Sequence, residues 1–380
     1  MGIIMKINFN YRAVYNFNKE MSIEKRSKLK ELFLETITRP FKVVLFPAAS
    51  FLSFKFVNKK RIAKAREELK LVGGKALKLQ TPNRIAIDAM YISAEEVRNK
   101  ILSYFEILKD HNNDSYYLKP MKSLDKGHET FIEALESMGL KMHEGKILLE
   151  ASSIASQTES DLEERPVTLI CPGRDMSFPA YKRVALSYLL RGIDVMLFDY
   201  PGVGRSEGSP TDYNTKLSAE TCYQYIASEI GIDNNKIIVH GHSLGGGIAT
   251  DLAARRKGTT LFLDRSFSSF VQAAIDKYPR FEAIIKRILP KIANFNNCEN
   301  LKRVEGHIAI AQGLEDKVIN ETHSKVNYEV LENKSGRVLQ KIQAPVGHNG
   351  NIIDKASEAF DEFLKNANLI RGLFSELRTN

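Results

Sequence analysis

The apolar and polar positions of this 380-residue chain change period three times along its length. Residues 22–38 and 58–71 place apolar residues at helical spacing among many charges, which predicts two basic helices. Around residue 75 the period shortens to two. KALKLQTPNRIAIDAMYIS holds two alternating runs joined by a Pro-Asn turn and reads as a β-hairpin. From 94 to about 145 helical spacing returns, with apolar stripes in EEVRNKILSYFEILKDH and HETFIEALESMGL, so a helical insertion is expected at 94–148.

From 166 onward, short apolar runs alternate with amphipathic ones. PVTLICPG, IDVMLFDYPG, KIIVHGHS, TTLFLDRS, HIAIAQGLED and RVLQKIQAP read as strands. YKRVALSYLLRG, KLSAETCYQYIASEIG, LGGGIATDLAARR and the closing NIIDKASEAFDEFLKNA read as helices. The alternation predicts an α/β fold with a mainly parallel central sheet covered by helices on both faces. Between the sixth and seventh strands of that sheet, residues 267–298 carry a further helical pattern. It reads either as a small lid lining an acyl pocket or as ordinary core helix. The expected division is a basic helical N-terminal extension, 1–72, and an α/β domain, 73–380.

Composition narrows the picture. With 43% hydrophobic and 27% charged residues, the chain has a globular make-up without collagen-like or coiled-coil bias. Its net charge of +9 is concentrated at one end: residues 1–100 carry 21 Lys and Arg against 9 Asp and Glu. That asymmetry suits contact with an anionic surface, although a solvated basic helix pair has the same composition. VVLFPAASFLSF, 43–54, lies between basic flanks and is shorter than the roughly 20 apolar residues a bilayer span needs, so it reads as an interfacial contact or a buried segment. Cys171, Cys222 and Cys298 are odd in number and widely spaced, which suggests neither a disulfide framework nor a metal site. No cleavable signal peptide is evident, and a cytoplasmic setting is expected.

The chemistry is concentrated in the third stretch. Gly241-His242-Ser243-Leu244-Gly245 fits G-x-S-x-G, with an apolar strand entering it and a helix leaving it. Glycines two residues either side of the serine remove side chains that would collide with neighbouring backbone. The helix N-terminus brings unpaired N–H groups and partial positive charge beside the hydroxyl. A serine hydroxyl needs a base. His240 lies within the strand and His242 should point away from Ser243, whereas His348, in QAPVGHNG, follows the last strand on a Gly-flanked loop that can reach back over the sheet edge. Asp316, at the end of HIAIAQGLED, is the first choice for the carboxylate that orients the base, with Asp264 as runner-up. Asp264 is better suited to a salt bridge with neighbouring basic residues, and Asp199 to capping a turn. Arg174 and Arg265, near strand ends, suit either an anionic substrate group or local carboxylates.

Ser243, then Asp316, then His348 is the chain order of the α/β-hydrolase family, which this sequence resembles from about 75 to 365. ICPGRD resembles the family's oxyanion loop after the third strand, with Cys171-Pro172 standing where a histidine is usual. FDYPGVGRSEGSPT resembles its D-x-x-G-x-G-x-S loop after the fourth strand. LFLDRSFSSF and GLEDKVI resemble the stretches after the sixth and seventh. The long N-terminal extension with CPGRDM and DRSFSS further resembles a hydrolase-like branch of intracellular bacteria, the CHLPS type, which would allow secretion into a host cell. The resemblance implies an α/β-hydrolase fold and a serine hydrolase with Ser243 as nucleophile, His348 as base, Asp316 as its orienting acid and an oxyanion hole formed by the Leu244 and Arg174 backbone N–H groups. A carboxylic ester or thioester is the expected substrate, an amide or peptide the alternative, and a catalytically silent binding protein the third reading. The partners expected are a small-molecule or lipid-like acyl substrate and, through the basic extension, a membrane surface. No nucleic acid, cofactor or metal is expected.

Overall fold

A computed structural model describes residues 59–110, 115–121, 126–150, 153–154, 165–174, 176–331 and 339–374. All of them belong to one compact unit, Phe51–Asn380. The helix expected at 22–38 and the segment 43–54 lie outside the described residues.

The chain enters through α1 (Lys59–Leu71), followed by the hairpin β1 (Lys75–Gln80) and β2 (Ala86–Ile92) and then α2 (Ala94–Tyr104). Next come β3 (Phe105–Asp110), β4 (Ser115–Pro120), α3 (Lys126–Ser137) and β5 (Ile147–Leu148). The α/β alternation begins with β6 (Val167–Cys171), α4 (Lys182–Leu189), β7 (Asp194–Phe198) and α5 (Asp212–Gln224). It continues through β8 (Ile237–His242), α6 (Leu244–Arg255), β9 (Thr260–Asp264), α7 (Phe270–Lys277), α8 (Glu282–Ile288) and α9 (Asn297–Leu301). β10 (Ile308–Gly313), α10 (Glu321–Glu329), β11 (Leu339–Ala344), α11 (Ile352–Lys355) and α12 (Ser357–Asn366) complete it.

Eight strands form one sheet in the order β1-β2-β7-β6-β8-β9-β10-β11. The hairpin β1–β2 joins β7 antiparallel, and β6 to β11 run parallel. β6 to β10 are buried along their whole length, as expected where helices cover both faces, whereas the edge strands β1 and β11 alternate with exposed positions. The period-two geometry divides the core. Ile238, Phe262 and Ala309 pack on one face with Tyr188 and Phe360, while Ile237, Val239 and Leu261 pack on the other with Ile248 and Leu252. The chain starts at β6, turns outward to β7 and then crosses back to β8. The carboxyl ends of β6 and β8 therefore flank the point where the winding reverses, the place where open α/β sheets form their binding crevices.

Two regions differ from the sequence reading. The stretch 94–148 is not wholly helical: α2 stops at Tyr104, Phe105 turns extended (φ −128°, ψ 141°), and β3, β4 and β5 form a separate three-stranded antiparallel sheet. FEILKD and SYYLKP carry aromatic and aliphatic residues that suit a half-buried pleat, and the helical register of the preceding residues obscured that shorter period. The closing helix breaks at Ala356 (φ −130°, ψ 41°) into α11 and α12.

The predicted helix at 58–71 packs into the α/β body, with Leu69 and Val72 fully buried. Arg66 forms a fork to both carboxylate oxygens of Asp88 in β2, each at 2.5 Å, and its guanidinium lies 4.8 Å over the Phe178 ring. Among the described residues no helix is long and apolar enough to cross a membrane. Because Arg66 is only 3% exposed, removing it leaves the Asp88 charge without its main partner. Arg66→Met is expected to lower the unfolding free energy by about 3 kcal/mol or more in urea titrations. A loss under about 1 kcal/mol would show that this pair does not secure α1.

Candidate active site

β8 ends in a turn that no ordinary backbone adopts. Ser243 has φ 54° and ψ −118°, a positive φ for a non-glycine residue, and α6 starts at the next position. The turn fits because its flanks are bare. A Cβ on Gly241 would fall 2.5 Å from Ala249 Cβ and 2.6 Å from Gly245 O; one on Gly245 would lie 2.6 Å from Pro172 O and closer still to Cys171 O. Two hydrogen bonds hold the strained residue, Ser243 N–H to Asp264 O at 3.0 Å and Ser266 Oγ–H to Ser243 O at 2.7 Å. Leu244, buried as the first residue of α6, has an N–H without an intrahelical acceptor.

The loop after β11 brings His348 to this turn. His348 Nε2 lies 2.9 Å from Ser243 Oγ, and its Nδ1 lies 2.8 Å from Asp316 Oδ2. Asp316 follows β10 by three residues; its Oδ1 accepts the N–H groups of Val318 (2.8 Å) and Ile319 (3.0 Å). Burial opposes charge on this carboxyl. The bond from His348 and those backbone donors outweigh it and hold the group below its ordinary carboxylate range, so it is ionised at neutral pH. Leu314 N–H to Ala344 O (2.8 Å) and Glu315 N–H to Val346 O (3.3 Å) tie the aspartate's turn to the histidine's loop. The structure thus brings together three residues separated by 105 and 32 positions.

Asp264 lies apart from this chain of contacts. Its carboxylate accepts Arg265 Nε (2.7 Å) and Nη2 (2.9 Å) and faces His240 Nε2 at 3.3 Å. Burial works against ionisation, but the Arg265 guanidinium holds the carboxyl well below the usual range. Asp199 accepts Ser177 Oγ–H and Phe178 N–H, capping the helical turn after β6, and burial pushes it up to about 7. Arg265 is 3% exposed, and besides Asp264 it donates from Nη1 to Gly347 O at 2.7 Å. Its partners are local acceptors. Arg174 is half-buried in the turn after β6, where Tyr200 Oη–H bonds to Pro172 O at 3.0 Å.

Three participants escaped the sequence reading: Tyr181, His242 and Arg265 in its contact with the histidine loop. Each acts on a backbone group, and such contacts leave no spacing signature. His242 Nε2–H donates to His348 O at 2.8 Å, and its Nδ1 lies 2.9 Å from Tyr181 Oη. A cavity of about 490 Å³ opens between α7 and the turn after β10, lined in part by Ala273, Lys277, Leu314, Asp316 and Val318. It meets the site through Asp316, and Ser243 and His348 lie outside its wall. Among the described residues, no group of three or more His, Cys, Asp or Glu is arranged to hold a metal ion.

Burial lowers His242 from 6.5 to about 4. The unfolded chain therefore takes up a proton near pH 6.5 that the folded chain refuses until about pH 4, and stability is lost as pH falls through that window. From this group alone the loss between pH 7.5 and 5 is about 2 kcal/mol. Urea midpoints at the two pH values are expected to differ less in His242→Gln than in the parent. An equal difference would mean that His242 titrates normally in the fold.

Comparison with known proteins fits this architecture. A model of the alpha/beta hydrolase family matches residues 169–301, a span that includes Ser243 but neither Asp316 nor His348. An uncharacterized protein of Mycobacterium tuberculosis is 28% identical over 187 residues, which cover 48% of this chain and 63% of that protein, so the match spans less than two thirds of that relative. Phosphatidylserine lipase ABHD16A of Rattus norvegicus is 26% identical over 153 residues, 40% of this chain and 27% of the lipase. Among solved structures, an alpha-beta hydrolase of Vibrio vulnificus is 26% identical with a TM-score of 0.45, covering 52% of this chain and 74% of that one. With its six parallel strands, its antiparallel leading hairpin and the crossover that places β6 between β7 and β8, the chain has the alpha/beta-hydrolase fold, and its residues 169–301 match the model of that family.

Proposed function

We propose that the protein is a serine hydrolase that cleaves a carboxylic ester or thioester through an acyl-enzyme. The observation that carries this reading is the unbroken line of contacts from Asp316 Oδ2 to His348 Nδ1 (2.8 Å) and from His348 Nε2 to Ser243 Oγ (2.9 Å), ending on a strained residue at a helix N-terminus. Ser243 Oγ attacks the carbonyl carbon while its proton passes to His348 Nε2. The ionised Asp316 holds Nδ1–H in place and stabilises the imidazolium. Negative charge gathering on the carbonyl oxygen is accepted by the backbone N–H groups of Leu244 and Arg174, and the positive end of α6 adds to this. The C–O or C–S bond then breaks, and the departing oxygen or sulfur takes the proton from His348. Water, deprotonated by the same imidazole, then attacks the acyl carbon; the bond from that carbon to Ser243 Oγ breaks, Oγ takes the proton back from His348, and the carboxylic acid leaves.

Support for an acyl lipid as substrate comes from the activity in the printed name of the rat relative. The segment 270–289 packs Ala274, Ile275, Ile285 and Leu289 into a buried cluster of its own, with Phe270 and Tyr278 against it. Three unbridged cysteines suit a cytoplasmic setting.

A panel of p-nitrophenyl esters of rising chain length, run beside matched amides, tests the reaction class, with faster turnover of the esters expected. Ser243→Ala and His348→Ala are expected to lower kcat by about 10⁴-fold or more, and Asp316→Asn by about 10³- to 10⁴-fold. Asp264→Asn should lower stability before it lowers kcat, because Asp264 pairs with Arg265 and not with His348. Retention of more than about a tenth of the activity in folded Ser243→Ala would remove the serine from the mechanism.

A further inference from the structure

We propose that Tyr181 and His242 form a positioning bridge that locks the loop after β6, which carries the oxyanion donor, to the loop that carries His348. The proposal deepens the hydrolase reading and rests on it for the word oxyanion; the bridge itself rests on three hydrogen bonds. Gly173 N–H donates to Tyr181 Oη at 2.6 Å, Tyr181 Oη is 2.9 Å from His242 Nδ1, and His242 Nε2 is 2.8 Å from His348 O.

The two ends of this line fix every proton within it. A peptide N–H can only donate and a peptide carbonyl can only accept. His242 therefore carries its proton on Nε2, directed at His348 O, and its bare Nδ1 accepts the Tyr181 hydroxyl proton. The Tyr181 oxygen keeps a lone pair for Gly173 N–H. Met176 Sδ, at 3.5 Å from Tyr181 Oη, is the weaker acceptor. Tyr181 and His242 are 4% and 3% exposed, so water competes little for any of these groups. Burial also keeps both neutral, raising the tyrosine well above its ordinary value and holding the histidine at about 4.

The loop is seated on the bridge. A Cβ on Gly173 would fall 3.0 Å from His242 Nδ1 and 3.3 Å from Tyr181 Oη, tight enough that the neighbours would have to give way. His242 is the last residue of β8, so the bridge is anchored in the strand that presents Ser243. Arg265 grips the same loop one residue earlier, through Gly347 O. Tyr181 and His242 touch none of the proposed reacting atoms. They set where the His348 ring and the Gly173-Arg174 turn stand relative to Ser243, and a displacement of about 1 Å at such a site costs about 100-fold in rate.

Tyr181→Phe keeps the ring and deletes the hydroxyl; His242→Gln keeps an amide donor that can reach His348 O; His242→Leu keeps neither. Each full-length variant is measured for kcat and KM on p-nitrophenyl butyrate, for its urea midpoint, and for hydrogen exchange at residues 346–350. Tyr181→Phe is expected to remain folded, to lose about 10- to 100-fold in kcat with KM changed less than about 3-fold, and to exchange faster at 346–350, a segment that Tyr181 reaches through His242. His242→Gln should recover the protection of 346–350 and most of the kcat that His242→Leu loses. Wild-type exchange at 346–350 in Tyr181→Phe, or a glutamine variant no better than leucine, overturns the bridge. If the parent protein hydrolyses no ester, the hydrolase reading fails instead, and the exchange data decide the bridge on their own.

Discussion

The rest of the site depends on one strained residue. Ser243 sits at positive φ between a parallel strand and a helix, a conformation that costs on the order of 1–3 kcal/mol and persists only where its surroundings over-determine it. Here they do. Gly241 and Gly245 clear the space, Asp264 O takes the Ser243 N–H, and Ser266 holds the Ser243 carbonyl. The same geometry places the hydroxyl 2.9 Å from His348 Nε2 at the N-terminus of α6.

Around that turn, the buried charges are paired in ways that hold loops. Asp264 and Arg265 form a pair almost sealed from water, and Arg265 extends it to the His348 loop. Asp199 caps the turn beyond the proposed oxyanion loop, and Arg66 with Asp88 joins α1 to the hairpin side of the sheet. Breaking the Asp264–Arg265 or the Arg66–Asp88 pair leaves a buried charge without its partner, which makes both strict about geometry whatever their net contribution to stability. Loops, mobile in most folds, are thereby fixed at the strand ends where the proposed chemistry takes place.

Much of this was legible in the sequence. The fully buried strands β6 to β10 read as continuous apolar runs, and G-x-S-x-G between such a run and a helix marked Ser243 by a local steric requirement that only glycines meet. Asp316 and His348 were legible by position, each soon after a strand end. The small sheet β3-β4-β5 was not, because its short strands follow α2 without a glycine or proline to mark the change of period. Tyr181 and His242 were illegible for a different reason. Their backbone partners are the Gly173 N–H and the His348 carbonyl, groups that nearly every residue type carries and that leave no mark in a sequence. By its place near a strand end Arg265 suits a substrate anion, but its buried guanidinium is engaged by Asp264 and Gly347.

Whether His348 makes Ser243 nucleophilic is tested most directly by peptide mass mapping after exposure to a fluorophosphonate, because the probe bonds to an activated hydroxyl and needs no knowledge of the substrate. A single phosphonyl adduct is expected on the peptide containing Ser243, absent in Ser243→Ala and formed far more slowly in His348→Ala. A folded protein that takes up no adduct, or takes it up at another residue, would contradict that activation.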